Sequence, residues 1–133
     1  MKIEIHRGQN QIGGNIVEIS TQTTRILLDV GQELDEETPQ CPAIEGLFAN
    51  ADFDAVFITH YHLDHLGLAY EIDRKIPLYL GEGSFRVVQT MDRRMKQETF
   101  TPAGFLKNQE PIIIGDITVT PFLCDHSAFD SPG

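Results

Sequence analysis

The chain has 133 residues, 41% of them apolar and 23% charged, which suits one soluble domain with a modest hydrophobic core. No apolar stretch approaches the roughly 20 residues needed to cross a bilayer. Its net charge of −10 is uneven, with three basic and thirteen acidic side chains in residues 1–73 against seven of each in residues 74–133, so the first half argues against a simple nucleic-acid sleeve built on clustered Lys and Arg.

The opening MKIEIHRGQN alternates polar and apolar residues and lacks a signal-peptide core, which predicts a cytoplasmic protein. Lys2–Arg7 and Asn15–Ser20 alternate as strands around a Gly13-Gly14 turn, and Thr24–Val30 is a third, more apolar strand. Tight connections and period-2 patterning predict an antiparallel meander. His6, in the first strand, has no visible partner and reads as structural. The polar, acidic stretch Gly31–Pro42 reads as a loop, and Pro42–Ala49 as a short helix opening on its proline. Asp54–Thr59 (DAVFIT) is a buried strand.

A helix is predicted over His65–Lys75, with Leu66, Leu68, Ala69 and Ile72 as its apolar stripe and Arg74 and Lys75 suiting its C-terminal dipole. Ile76–Leu80 follows as a strand. Ser84–Thr99 reads as an amphipathic helix capped by Ser84, with Val87, Val88, Met91 and Met95 on one side and a solvated face of Arg86, Arg93, Arg94 and Lys96. Two more strands, Pro111–Ile114 and Ile117–Leu123, turn at Gly115-Asp116. The order is βββ(α)βαβαββ, an α/β (α+β) unit over residues 1–133 with no internal repeat. Cys41 and Cys124 lie far apart with no CxxC partner, and read as buried or idle thiols rather than a disulfide framework.

Chemistry concentrates in THYHLDHLG, residues 59–67. In an extended segment alternate side chains share a face, so His60, His62 and Asp64 can project together beyond the Asp54–Thr59 strand, while His65 turns inward from the start of the helix. Imidazole and carboxylate suit zinc, and also manganese or iron. The bland alternative makes Asp64 a helix cap and the histidines exposed loop residues. With five His and ten Asp in the chain, H-x-H-x-D-H arises by chance in roughly one such sequence in a thousand or fewer, which favours the metal reading. His126, just past the Ile117–Leu123 strand, would complete a three-histidine shell with His60 and His62, leaving Asp64 and His65 for a second metal.

The motif resembles the signature of the metallo-β-lactamase superfamily. Leu27-Leu28-Asp29-Val30-Gly31 resembles that superfamily's first motif, with Asp29 supporting the metal-site loop, and Asp125-His126-Ser127 resembles the third. GQNQIGGNIVEI and DHSAFDS look like segments of the ribonuclease J-like, β-CASP-type RNA-processing branch. The resemblance implies the N-terminal portion of an αβ/βα sandwich that holds two divalent metal ions, zinc by preference with manganese acceptable. It further implies a metal-dependent hydrolase, in which a metal-bound hydroxide, oriented by Asp64, attacks an RNA phosphodiester. The family's bridging aspartate and last histidine fall beyond residue 133, so the chain is expected to be a truncated part of that domain, meeting RNA through residues outside it. Alternative expectations are a glyoxalase II-, lactonase- or thioesterase-like hydrolase on the same fold, or a truncated, non-catalytic metal-binding fragment. Ser127 is a candidate for a substrate-phosphate or loop-holding role, the latter shared with Asp130. No membrane partner is expected, and an oligomer is compatible with this reading.

Overall fold

Strands of alternating Ile, Val and acidic residues at the N-terminus pair in sequence order and seed one mixed sheet. The computed structural model describes residues 1–35, 37–124, 126 and 128. Strands β1 (Lys2–Arg7), β2 (Ile16–Ser20) and β3 (Arg25–Leu28) form the expected antiparallel meander, and β4 (Ala55–Phe57), β5 (Leu78–Gly81) and β6 (Gly104–Leu106) extend it in parallel. The sheet order is β1-β2-β3-β4-β5-β6, and the hairpin β7 (Ile112–Ile114) with β8 (Ile117–Val119) stands apart from it. The fold is therefore mixed α/β with few helices, as the sequence implies.

Strand periodicity divides the apolar residues between two faces. Ile16, Leu27, Val56, Leu78 and Leu80 point into the main core, where they meet Leu66, Leu68, Ile72 and Val88. Ile26, Ala55, Phe57 and Leu106 point the other way and are covered by Ile117 and its hairpin neighbours. The β1–β2 register shifts between Ile5 and Arg7, an irregularity of the kind that bends a strand locally. His6 Nε2 lies 2.8 Å from Glu18 Oε2, so the histidine that lacks a partner in the sequence has a buried one. Arg25 binds the same carboxylate at 2.9 Å and sits over the Phe53 ring.

Several expectations are corrected. Residues 42–49 form turns and no helix. The His65–Lys75 helix is replaced by a single turn, α1 (Leu63–Leu66), and a 3-10 turn over Ala69–Glu71. The reason is competition for backbone partners: a continuing α-helix would bond the Leu68 N–H to the Asp64 carbonyl. Instead, Leu68 N–H donates to the Val30 carbonyl and the Asp64 carbonyl accepts from Asn15. The next helix, α2, runs Glu82–Met95 with Gly81 at its N-cap. Its buried row is Ser84, Val88 and Asp92, whereas Met91 and Met95 are exposed, so Ser84 is a core contact and not the cap. Buried Asp92 accepts the Tyr70 hydroxyl at 2.8 Å through Oδ1, while its Oδ2 is buried without a hydrogen-bond partner among the described residues. Finally, β6 has no counterpart in the sequence reading, since three residues carry too little periodicity. Cys41 and Cys124 form no disulfide, and both are exposed rather than buried.

Candidate metal centre

The site forms where β3 and β4 end side by side. Phe57 pairs with Leu28 in parallel register, so the residues just beyond them, Asp29 on one strand and Thr59 and His60 on the other, emerge together. Asp29 adopts a left-handed backbone, φ 58°, which aspartate tolerates better than most residues. That bend turns its buried carboxylate across to β4. Asp29 Oδ1 accepts the Thr59 N–H at 2.8 Å, and Asp29 Oδ2 lies 2.7 Å from His65 Nδ1.

The loop after β3 then grips the histidine segment through the backbone. Val30 N–H donates to the His65 carbonyl at 2.8 Å, Gln32 N–H to the Leu63 carbonyl at 3.0 Å, and Gly31 N–H to Asn15. Gly31 is required by close approach, since a Cβ there would stand 1.8 Å from the Asp64 carbonyl oxygen. Arg7 donates to the carbonyls of Gly14 and Gly31 and so ties the same crossing together.

Three imidazoles converge. Ligand atoms of His60, His62 and His126 all lie within 4.8 Å of one another, although His126 comes from a segment more than 60 residues downstream and is held by a 3.0 Å bond from the Ala128 N–H to its Nδ1. His60 is 4% exposed and its Nε2 is buried without a hydrogen-bond partner. An orphaned imidazole nitrogen facing two other imidazoles fits a divalent ion, which would satisfy all three. Burial, reinforced by the neighbouring histidines, pushes the His60 pKa down to about 4, so the ring is neutral and ligand-ready at physiological pH.

Asp64 and His65 lie beside this triad and outside it. Asp64 Oδ2 is 3.4 Å from His65 Nε2, and the His60 and His65 ring centroids are 4.0 Å apart. Burial pulls the His65 pKa down, but the Asp29 hydrogen bond and the charges of Asp29 and Asp64 outweigh it and hold the group above its ordinary value. Asp64 sits within the first turn of α1 and makes no capping bond; the N-cap position is His62. Ser127, like Asp125 and Asp130, lies outside the described residues.

Two contacts escape a sequence reading. Thr59 Oγ1 lies 3.0 Å from both Asp29 carboxylate oxygens and from His60 Nδ1, yet in the sequence Thr59 is merely the end of a strand. Asn15 Nδ2 lies 3.3 Å from His65 Nε2, across 50 residues of chain. Only the pairing of β2, β3 and β4 brings these groups together.

A family model described as the metallo-beta-lactamase superfamily matches residues 10–123. The chain belongs to the metallo-beta-lactamase superfamily. Members of this superfamily bind divalent metals, in keeping with the imidazole cluster. Two similar proteins are both from Methanocaldococcus jannaschii. The "RNase J-like protein" is 40% identical over 65 residues, 49% of this chain and 14% of that protein. "Probable RNase MJ4" is 33% identical over 98 residues, 71% of this chain and 22% of that protein. The chain thus spans less than a quarter of the length of these superfamily relatives. Among solved structures, a protein of unknown function from Enterococcus faecalis V583 aligns with TM-score 0.85 at 22% identity, covering 98% of this chain and 39% of that one. The metallo-beta-lactamase GOB-18 from Elizabethkingia meningoseptica aligns with TM-score 0.64 at 18% identity, covering 90% and 48%. At such identities the two structures establish the fold.

Proposed function

We propose that this chain carries the metal-binding part of a hydrolytic site that cleaves RNA phosphodiesters. The observation that carries the reading is the convergence of His60, His62 and His126 around an unpartnered, buried Nε2. The substrate class is supported by the names of the M. jannaschii relatives, "RNase J-like protein" and "Probable RNase MJ4". His60, His62 and His126 would hold one divalent ion, and Asp64 and His65 a second, with zinc the first candidate because the donor set is rich in imidazole. Such ions supply Lewis acidity and lower the pKa of water.

The chain's own residues do the rest. Asp29 accepts the His65 Nδ1–H and fixes the ring, leaving Nε2 toward Asp64. Asp64, partly exposed beside His65, orients an attacking water and takes its proton. Low exposure at His60 keeps bulk solvent from its Nε2.

Metal analysis of the purified protein after zinc or manganese supply, combined with cleavage of single-stranded RNA, tests the proposal. RNA cleavage that His62→Ala abolishes is the expected result. A protein that takes up no metal sinks the site assignment. Metal uptake with hydrolysis of thioesters or lactones, and none of RNA, sinks the substrate class alone.

A further inference from the structure

Thr59 holds a position that no ligand set requires. Its Oγ1 lies 3.0 Å from Asp29 Oδ1, 3.0 Å from Asp29 Oδ2 and 3.0 Å from His60 Nδ1. A hydroxyl has one proton to give and lone pairs to receive with. A carboxylate can only accept, so the Thr59 proton goes to Asp29. Were it aimed at His60, the hydroxyl oxygen would face two carboxylate oxygens with no proton between them, in a half-buried setting where unmet acceptors are costly. Asp29 cannot turn away, because it also receives the Thr59 N–H and faces His65 Nδ1 at 2.7 Å. The lone pair of Thr59 Oγ1 is then what His60 Nδ1 meets, and Nδ1 must be the nitrogen that carries the proton. A neutral imidazole carries one ring proton, which leaves Nε2 bare. That is the nitrogen found buried and unpartnered.

We propose that Thr59 is a positioning residue of the metal centre, its hydroxyl relaying the Asp29 carboxylate to His60 so that His60 is locked as the Nδ1–H tautomer with Nε2 open to a metal ion. This rests on the metal reading of the site and adds to it a residue that is not a ligand. Imidazole in water favours the opposite tautomer, with the proton on Nε2, so the hydroxyl removes a competing arrangement before any ion arrives. One carboxylate thereby orients two histidines: His65 directly, and His60 through Thr59.

Long-range proton–nitrogen correlation NMR of the metal-free protein reads the His60 tautomer directly, and zinc affinity by chelator competition reads its consequence. The wild-type protein should show His60 protonated at Nδ1. Thr59→Val, similar in shape but without the hydroxyl, should shift His60 to the Nε2–H form and weaken zinc binding by about 10–100-fold. Thr59→Ser should restore both, which a purely space-filling role would not produce. His60 protonated at Nε2 in the wild type overturns the inference, and this measurement stands even if Thr59→Val does not fold. So does a folded Thr59→Val protein with wild-type tautomer and affinity. A wild-type protein that binds no zinc removes the metal reading, while the tautomer comparison still decides what Thr59 does to His60.

Discussion

Burial of a neutral His60 at the centre of the cluster couples folding to pH. In the metal-free protein its pKa is pushed from 6.5 to about 4, so between these values the unfolded chain binds a proton that the folded chain refuses. Stability is therefore full above the unfolded value of 6.5 and is lost as pH falls toward the folded value. At 1.36 kcal/mol per pH unit, that interval corresponds to roughly 3 kcal/mol, a large share of the stability of a domain this size. His65 acts in the opposite direction, since its raised pKa gives stability that is present below 6.5 and lost as pH rises through the folded value. The two are separated by difference. Urea unfolding of wild type and His60→Asn, with chelator present and unchanged m-value, should give curves that diverge on acidification from about pH 6.5 to 4, with the wild type losing more. Asparagine keeps a short polar side chain near Thr59 while removing the titrating group. A difference curve that stays flat over that range, or that favours wild type on acidification, would refute the burial of His60 as a neutral ring.

Gly31→Ala should destabilise the protein by about 1–3 kcal/mol or more, read as a lowered urea midpoint, because its Cβ would strike the Asp64 carbonyl; zinc affinity should fall with it, and a wild-type midpoint would mean the crossing is looser than described. Asp29→Asn suits the left-handed backbone but gives up the charged acceptor. It should cost about 1.5–3 kcal/mol and lower the His65 pKa in an NMR titration; an unchanged His65 value would remove Asp29 as the cause of its shift. At Glu18, burial favours the neutral acid, but the hydrogen bonds from Arg25 and His6 prevail and hold its pKa below the ordinary 4.5. Its contribution is therefore present above 4.5 and lost as pH falls through the folded value. Glu18→Gln should flatten that acid limb, and an equally steep limb in the variant would assign the loss to other carboxylates.

Much of this protein is determined by local sequence. Lys2–Arg7 is a strand both by pattern and in the fold, because strict alternation leaves no helical solution. THYHLDH marks the candidate site because four donor residues at those spacings have few other uses, and Asp29 is legible beside it through the family resemblance. Tertiary structure decided the path of the chain beyond the motif. Residues 65–75 have a helical pattern, yet the β3 loop captures their backbone donors and acceptors, so the helix ends after one turn. It also decided which face of α2 is buried, since the sheet meets the Ser84–Val88–Asp92 row and leaves two methionines outside. Most of all, it placed Thr59 and Asn15 against the histidines. Their contacts depend on the register of three strands and a left-handed aspartate, and hydrogen bonds made across a sheet leave no periodic trace in the chain that makes them.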